Sequence, residues 1–417
     1  MKRFDALVVG AGPAGSAAAY RLTSAGAAVA LLDRVRFPRD KACGDLLSPR
    51  AMQALSDLGV SIEGSVRVGD LELVAGAGRS LDLPWPRGAS YPDQAAALPR
   101  VELDEQLRVA AVEAGAEFVH GNVEGLDIDD AGAVVTLGDG RRLNGSFVIG
   151  ADGSLSRVAE LAGLTTASDA LWGFALRYYV EANVRRGVVI YWEPERGRTF
   201  PGYGWIFPGP DGRANLGLGI SLGARRDGAD LVQRSFPAFV ADLQRRALIG
   251  EVALSTDQRR GGWLKMGLAV TRAARGPVLL VGDAAGAINP LVGEGISGAI
   301  LGGRDAADAI VASPGAAART YGEALSARHG SFHPTTAALH LWMATHPRMF
   351  SLTGKVITAP GLSWVLAGPW SMYWNDLLDG APPGPTQAGA RALQAFARLV
   401  TTRSRLRQSA EQCIADV

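Results

Sequence analysis

A glycine-rich segment near the start of the chain has the spacing of a dinucleotide-binding turn. It reads Gly10-Ala11-Gly12-Pro13-Ala14-Gly15 and lies between a predicted strand and a predicted helix. The first glycine permits a tight turn, the second lets the backbone approach a pyrophosphate, and the third allows close helix packing. The helix N-terminus offers free N–H groups to phosphates, and Asp33, after the next strand, can accept a ribose hydroxyl. The segment therefore predicts a dinucleotide site.

Two further glycine-rich segments each follow a predicted buried strand. The first is Gly150-Ala151-Asp152-Gly153-Ser154. The second is Gly282-Asp283-Ala284-Ala285-Gly286, which continues as Asn289-Pro290-Leu291-Val292-Gly293-Glu294-Gly295. The turn at Gly10 alone does not separate NAD from FAD. The three segments, in this order and spacing, resemble the FAD-binding domain shared by flavin monooxygenases, flavin halogenases and geranylgeranyl reductases.

This resemblance implies positions for the cofactor. Asp283 would bind the ribityl chain, and the turn before the helix at Gly295 would face the pyrimidine edge of the flavin. A helix N-terminus there would stabilise negative charge on the reduced flavin. Arg100 matches a family arginine that contacts FAD. The full set of cofactor-binding residues implied in this way is Gly10, Gly12, Ala14, Gly15, Asp33, Arg34, Cys43, Gly44, Arg100, Asp152, Gly282, Asp283, Pro290, Gly293, Gly295 and Ile296.

Two more segments narrow the resemblance. They are Pro38-Arg39-Asp40-Lys41-Ala42-Cys43-Gly44-Asp45-Leu46-Leu47-Ser48-Pro49-Arg50 and Pro201-Gly202-Tyr203-Gly204-Trp205-Ile206-Phe207-Pro208. Both are similar to segments of the geranylgeranyl reductase family, which includes menaquinone-chain reductases, and the likeness covers most of residues 1–312. It implies that a flavin hydroquinone, reduced by NADPH or another donor, saturates an isolated prenyl C=C bond. It also implies that the second segment shapes an apolar substrate channel and that Cys43 lies close to the isoalloxazine.

The chemistry of such a reaction sets its own requirements. An isolated alkene has no carbonyl to polarise, so a hydride to one carbon must be matched by a proton to the other. The site therefore needs a proton donor and a dry apolar wall. Cys43 and Tyr203 are the candidate donors and Asp45 is a weaker one, while Trp205 completes the candidate catalytic set. A buried cysteine is also often only a small hydrophobe, and Tyr203 and Trp205 can equally be core aromatics.

The sequence also fits other functions of the same fold, some better than others. A monooxygenase, either a hydroxylase or an epoxidase, is the main alternative, because nothing in the motifs excludes O₂. A halogenase is a distant third, because those enzymes place a lysine between the first βαβ unit and the middle region. The lysines of this chain are Lys2, Lys41, Lys265 and Lys355, so residues 42–264 contain none. A binding protein that keeps FAD only as structure is a further class.

The elements that would position these residues follow from hydrophobic periodicity. The pattern predicts an α+β protein with a βαβ unit, antiparallel strands and C-terminal helices. The resemblance to the FAD-binding family implies that these form a Rossmann-like FAD-binding domain of the glutathione-reductase and aromatic-hydroxylase type, an antiparallel substrate domain and a helical C-terminal region. The predicted strands are Phe4 to Val9, Val29 to Leu32, several within 66–83, 119–148 and 171–222, and Pro277 to Val281. The predicted helices are Pro13 to Ala25, residues 50–58, Asp104 to Ala114, Gly295 to Ala312 and a proline-broken series in 316–378.

The domain boundaries follow from the order of these elements. We expect a discontinuous FAD-binding domain from residues 1–75, 98–165 and 268–320. Residues 76–97 and 166–267 would form the substrate domain, and residues 321–417 the helical region. Within that region, GAPPGPTQAG at 380–389 has the composition of a linker. The tail that follows is arginine-rich and has the pattern of an amphipathic helix.

Composition excludes several other classes of function. Lys and Arg number 42 and Asp and Glu 41 in a chain of 417 residues, so no basic excess points to nucleic acid. The two cysteines, Cys43 and Cys413, exclude a disulfide framework and favour a reducing compartment. The five histidines show no metal-ligand spacing, so no metal is expected.

The location and partners are predicted more coarsely. No signal-peptide core precedes the first motif, and the apolar stretch Val356 to Asn375 is broken by prolines and glycines. We therefore expect a cytoplasmic protein whose partner is an apolar small molecule or prenyl lipid. Tryptophans at 364–374 favour a water–lipid interface, so a peripheral membrane contact is one hypothesis for this region and the tail. A second hypothesis is that they close the channel over a lipid chain. The oligomeric state is not predicted.

Overall fold

The structure is a computed structural model that describes residues 3–75, 78–87, 90–129, 132–164, 171–221, 227–268 and 272–401. Within these residues the strands are β1 (Arg3–Val9), β2 (Val29–Asp33), β3 (Leu46–Leu47), β4 (Val66–Val68), β5 (Leu71–Val74), β6 (Ser80–Leu83), β7 (Ala95–Ala97), β8 (Glu117–His120), β9 (Val123–Asp129), β10 (Gly132–Leu137), β11 (Arg142–Gly150), β12 (Trp172–Glu181), β13 (Val188–Ile190), β14 (Gly202–Pro208), β15 (Arg213–Ser221), β16 (Arg259–Lys265), β17 (Ala274–Arg275) and β18 (Val278–Leu280). The helices are α1 (Pro13–Ser24), α2 (Pro49–Leu58), α3 (Arg100–Glu113), α4 (Arg157–Leu161), α5 (Gly228–Arg245), α6 (Ile296–Ala312), α7 (Ala317–His329), α8 (His333–Thr345), α9 (Pro347–Ile357), α10 (Ser363–Trp374) and α11 (Pro385–Thr401).

The first sheet carries the nucleotide-binding turn. Its strands run in the order β17-β18-β11-β1-β2-β8, and β10 and β9 extend from β11. The strands β18, β11, β1, β2 and β8 are mutually parallel, so their carboxyl ends meet at one edge, where ligands of open parallel sheets bind. Helices α1 and α6 pack against each other. This arrangement confirms the predicted βαβ unit and the Rossmann-like half of the fold.

The second sheet forms the other layer of the site. Its strands run in the order β16-β12-β15-β14-β13-β5-β6, antiparallel except where β13 pairs with β5. The antiparallel prediction for residues 171–222 is confirmed as far as Ser221. Strand β5 belongs to this sheet although the predicted boundary assigns residues 1–75 to the first domain. The division into domains otherwise stays a prediction. A third, small sheet has the order β3-β7-β4.

Helix α5 corrects the prediction of an antiparallel substrate domain. Residues 166–267 are predicted to be sheet throughout, whereas Gly228–Arg245 is helical despite Pro237. Its apolar face packs on β12 and β15, where Phe236 lies 4.9 Å from Tyr178 between ring centroids. A wide apolar stripe at helical spacing, which includes Val232, Phe236, Phe239 and Leu243, is the signal that was available.

The C-terminal helices cover one side of the second sheet. The proline-broken helical prediction for 316–378 is confirmed by α7 to α10. The linker prediction for 380–389 is wrong in its second half, because α11 begins at Pro385 and uses that proline in its first turn. Helix α3 likewise starts at Arg100, before the predicted Asp104. The arginines at 403, 405 and 407 and Cys413 lie outside the described residues.

None of the helices in the described part of the chain has the length and apolar character needed to cross a bilayer.

Candidate active site

The glycine turn after β1 has the close contacts that its spacing predicts. Gly10 has a positive φ of 105°, and a Cβ there would lie 2.3 Å from the carbonyl oxygen of Ala151. A Cβ on Gly15 would lie 1.8 Å from the carbonyl oxygen of Gly10. Both positions therefore require glycine, the first for the turn and the second for helix-to-strand packing.

Gly12 faces an ion-pair cluster that the sequence did not predict. The side chain of Asp104 is fully buried and accepts two hydrogen bonds from Arg100, at 2.7 and 2.8 Å. Arg39 approaches the same carboxylate at 2.9 Å. Arg39 also lies 4.0 Å from Asp33, so the two guanidinium groups are balanced by two carboxylates. Both guanidinium groups lie beside Gly12, where their paired N–H donors suit a pyrophosphate. Arg39 and Asp104 are more than sixty residues apart in the sequence, so no short motif contains both residues.

Two of the predicted cofactor carboxylates also hold the local backbone. Asp33 accepts hydrogen bonds from the backbone N–H groups of Ala11 and Val35, both at 2.9 Å, so it fixes the glycine turn. Asp152 accepts from the N–H groups of Arg157 and Val158, at 2.7 and 3.0 Å, and so caps α4. Both carboxylates line the cleft. Their roles as ligands of a cofactor stay predictions.

Asp283 lies where the two predicted parts of the site meet. It accepts hydrogen bonds from Lys41 at 2.9 Å and from Ser154 at 3.3 Å. Burial acts to raise the pKa of Asp283, but the Lys41 ammonium, the Arg100 guanidinium and the Ser154 hydroxyl together outweigh that effect, and the pKa lies below its usual value. The carboxylate is therefore charged and close to Gly295, which precedes the first turn of α6.

A polar cleft and an apolar cavity open onto each other at these residues. Pro13, Lys41, Arg100, Asp283 and Ala299 line both. The predicted residues that line the cleft are Gly10, Gly12, Ala14, Asp33, Arg34, Arg100, Asp152 and Asp283. Those that line the cavity are Cys43, Gly44, Arg100, Tyr203, Trp205, Asp283, Pro290, Gly293, Gly295 and Ile296. Gly15 and Gly282 line neither and act through packing, Gly282 with a positive φ of 58° against Ala14.

A buried polar network lies behind Cys43. The Sγ atom of Cys43 accepts the backbone N–H of Asp45 at 3.3 Å. The Asp45 carboxylate accepts from the hydroxyl of Tyr179 at 2.5 Å and from the amide of Asn215 at 2.7 Å. Burial raises the pKa of Asp45 to about 6, although the Tyr179 and Asn215 hydrogen bonds act in the opposite direction.

The same network fixes the backbone at Cys43. The Asn215 amide also donates to the Cys43 carbonyl at 2.8 Å. Arg100 donates its backbone N–H to Asp45 at 3.3 Å. Burial raises the pKa of the Cys43 thiol, although Arg100 acts to lower it, so the thiol keeps its proton at neutral pH. Asn215 and Tyr179 are not predicted, because Asn215 reaches Cys43, and Tyr179 reaches Asp45, from strands far along the chain.

The two aromatic candidates direct their polar atoms into the protein. Tyr203 donates its hydroxyl to the carbonyl of Val292. Trp205 donates its indole N–H to the Asn215 side-chain oxygen at 2.9 Å. Their rings lie 5.9 Å apart between centroids and form part of the cavity wall. Trp205 also fills the space over Gly217, where a Cβ would approach within 2.0 Å.

Elements from the C-terminal region complete the cavity wall. His340 of α8, Trp374 at the end of α10 and Asn375 all line it. Trp374 lies 6.2 Å from Tyr203 between ring centroids, and its carbonyl accepts the Asn289 amide at 3.0 Å. Of the stretch 364–374, Trp374 lines the cavity, and closure of the channel by this stretch stays a prediction. Nothing near His340 in the sequence marks it as part of a cavity.

The fold and these two joined sites define the class of the protein, an FAD-dependent oxidoreductase. The chain matches the family described as FAD binding domain over residues 3–333. A menaquinone reductase from Mycolicibacterium smegmatis is 36% identical over 367 residues, which span 85% of this chain and 88% of that protein. A geranylgeranyl diphosphate reductase from Rhodobacter capsulatus is 31% identical over 324 residues, or 74% of this chain and 75% of that protein. The chain therefore belongs to the geranylgeranyl reductase family of FAD-binding proteins.

A solved structure shares the fold over most of the chain. It is a geranylgeranyl bacteriochlorophyll reductase-like protein from Thermoplasma acidophilum, with a TM-score of 0.74 and 21% sequence identity. The superposition covers 91% of this chain and 98% of that one. The α+β architecture expected from sequence is thus confirmed.

In the described part of the chain, no group of three or more histidine, cysteine or acidic side chains is placed to hold a metal ion.

Proposed function

We propose that this protein reduces isolated C=C bonds of a prenyl chain bound in the apolar cavity. The observation that carries the proposal is the junction itself, where the Cys43 thiol lines an apolar cavity that shares residues with the cofactor cleft. The reductase names of the relatives at 36% and 31% identity support reduction over oxygenation.

The residues of the cleft fit FAD. The Gly10 turn and the Arg39–Arg100 cluster suit the pyrophosphate, Asp33 the adenosine ribose and Asp283 the ribityl chain. The start of α6 at Gly295 and Ile296 faces the cavity and would stabilise negative charge near the pyrimidine edge. When bound and reduced, FAD supplies the hydride. NADPH or another reductant would supply the electrons.

Cys43 is the proposed proton donor to the second alkene carbon. Its thiol keeps its proton because burial raises its pKa. By contrast, the Tyr203 hydroxyl and the Trp205 N–H are each committed to an acceptor within the protein. The S–H bond of Cys43 breaks as its proton forms a C–H bond with the second alkene carbon. The nearby Arg100 stabilises the resulting thiolate, which then regains a proton from solvent. Tyr203 and Trp205 shape the wall and exclude water.

The test is anaerobic turnover of the FAD-loaded protein with NADPH or dithionite. The substrates are geranylgeranyl diphosphate and a menaquinone that carries a geranylgeranyl chain, with product masses read after the quinone ring is reoxidised in air. We expect the prenyl chain to gain pairs of hydrogen atoms without O₂. A product that forms only with O₂ and carries added oxygen would identify a monooxygenase instead.

We further propose that α9, α10 and α11 form a peripheral membrane contact. Large apolar side chains are exposed on all three, including Leu352 (49% exposed), Trp364 (79%) and Phe396 (62%). Helix α10 packs against both of the others, and its end lines the cavity. Exposed tryptophan and other apolar side chains of this size suit the water–lipid interface, so a lipid substrate would enter near this surface.

Vesicle flotation tests this contact. We expect the wild-type protein to float with phosphatidylcholine vesicles, and a Trp364→Ser/Phe396→Ser variant to float several-fold less, because it loses two exposed apolar anchors. Ile128→Ser, which removes a 42% exposed side chain from β9, is the matched control and should float like the wild type. Equal flotation of all three proteins would exclude this surface as the contact.

A further inference from the structure

Two polar atoms in the cavity wall lack a protein partner. They are the side-chain hydroxyl of Ser221 and the Nε2 atom of His340, both buried and without a hydrogen-bond partner among the described residues. Both residues line the apolar cavity. Ser221 is 5% exposed. Buried polar atoms are nearly always satisfied, and leaving one unpaired costs about 1–3 kcal/mol, so two in one cavity indicate a missing polar ligand.

The other polar groups of the wall do not share this property. Tyr203 donates to Val292, Glu294 accepts from Ser297 at 2.7 Å, and the Asn375 amide donates to the Ser371 carbonyl at 2.8 Å. The unpaired atoms are thus particular to one part of the cavity.

That part is remote from Cys43. Strand β15 begins beside Cys43, where Asn215 contacts its carbonyl, and ends at Ser221. The six residue steps from Asn215 to Ser221 span about 20 Å of extended strand. On the opposite side, α8 packs against β15, and Ala337, one turn before His340, belongs to an apolar cluster with Leu171, Met266 and Ile288. Ser221 therefore lies at the far end of β15 from Asn215, where α8 brings apolar side chains against the cavity wall.

Charge identifies the kind of group that this end accepts. The lysine and arginine side chains in the described lining are Lys41 and Arg100. Both also line the nucleotide cleft and are paired with Asp283 and Asp104. Glu294 adds negative charge to the wall. Among the lining residues that the structure describes, none offers a diphosphate an unpaired cation, and desolvating a diphosphate without one is very costly.

Resting on the function proposed above, we propose that His340 and Ser221 bind the uncharged, oxygen-bearing head group of the prenyl substrate, specifically a ring carbonyl of a prenylquinone. A serine hydroxyl can donate to such an oxygen, and so can the N–H of a neutral imidazole. Burial lowers the pKa of His340 to about 4, so its imidazole is neutral at physiological pH. Holding the head group at this end fixes which double bond of the chain lies at Cys43.

Binding to the oxidised, FAD-loaded protein tests the assignment, because it needs no turnover. The probes are a menaquinone with a geranylgeranyl chain, geranylgeranyl diphosphate, and squalene, a prenyl hydrocarbon without oxygen, each titrated against the flavin absorbance. The wild type should bind the menaquinone more tightly than the diphosphate. His340→Leu and Ser221→Ala should each weaken menaquinone binding roughly five- to tenfold and squalene binding much less. His340→Gln, which keeps a side-chain donor, should recover part of the loss.

The controls separate this site from general packing and from the reaction. His346→Leu makes the same substitution at an exposed histidine of the next helix start and should leave all three affinities unchanged. Equal losses for menaquinone and squalene, or tighter binding of the diphosphate by the wild type, would overturn the head-group site. Failure of the prenyl chain to gain hydrogen in the turnover assay would overturn the reaction, whatever these affinities are.

Discussion

Replacing Cys43 by alanine should slow reduction of the prenyl double bond by about a hundred- to ten-thousand-fold, the usual contribution of a positioned proton donor. The alkene cannot share the developing charge with a carbonyl, so the proton must arrive as the hydride does. The Cys43 thiol carries that proton at neutral pH because burial raises its pKa. An apolar wall disfavours a water molecule that could replace the thiol.

The measurement is anaerobic reoxidation of the prereduced flavoprotein by the prenyl substrate, followed at the flavin absorbance. Cys413→Ala removes the other cysteine of the chain and serves as the matched control, with an unchanged rate expected. FAD content and the rate of flavin reduction by the donor should be similar in both variants, since Cys43 does not hold the Gly10 turn. A full rate in Cys43→Ala with a large loss in Tyr203→Phe would reassign the proton to Tyr203.

The nucleotide half of the site could be predicted because its signals are local. A larger side chain at Gly10, Gly12 or Gly15 would approach neighbouring atoms closely, because each glycine lies between the strand and the helix of this turn. Asp283 stands directly after a buried strand. The residues that meet these requirements are close together in the sequence, so a spacing motif is enough to predict them.

The substrate half could be predicted only in part, because its contacts join distant segments. The motif around Tyr203 indicates an apolar wall. The hydrogen bonds of Asn215 to Trp205 and Cys43 form only when β14 and β15 pair, so the sequence alone does not indicate them. Ser221 and His340 meet the same cavity from elements more than a hundred residues apart. Their burial and lack of partners are properties of the folded cavity, and no sequence period encodes them.

The attachment of the C-terminal helices depends on another long-range contact. Arg50, in the first turn of α2, is 3% exposed. Its guanidinium contacts the carboxylates of Asp376 at 3.3 Å and Asp379 at 3.0 Å, and it donates to the Asp376 carbonyl. Asp376 directly follows Trp374 and Asn375, which line the cavity. Arg50 therefore joins the cofactor side of the molecule to the part of the wall that covers the substrate.

We expect Arg50→Met to lower the free energy of unfolding by about 3–5 kcal/mol, the cost of leaving a buried charge without its partner. Arg198→Met, at a 62% exposed side chain, should change it by less than about 1 kcal/mol. Asp379→Asn, at a half-exposed partner, should also have a small effect. Thermal or denaturant unfolding followed by tryptophan fluorescence measures all three.

The pH dependence of this loss distinguishes a missing ion pair from a packing defect. Burial raises the pKa of Asp376 to about 6, with Arg50 acting to lower it. A carboxyl whose folded-state pKa is raised stabilises the fold while protonated, and that stability is lost as pH rises from about 4 through 6. Without Arg50 the pKa rises further, so Asp376 costs more when it must ionise. The Arg50→Met loss should therefore be larger at pH 8 than at pH 5, and adding Asp376→Asn should restore part of it at pH 8. A loss that is independent of pH and unaffected by Asp376→Asn would show that Arg50 acts through packing alone.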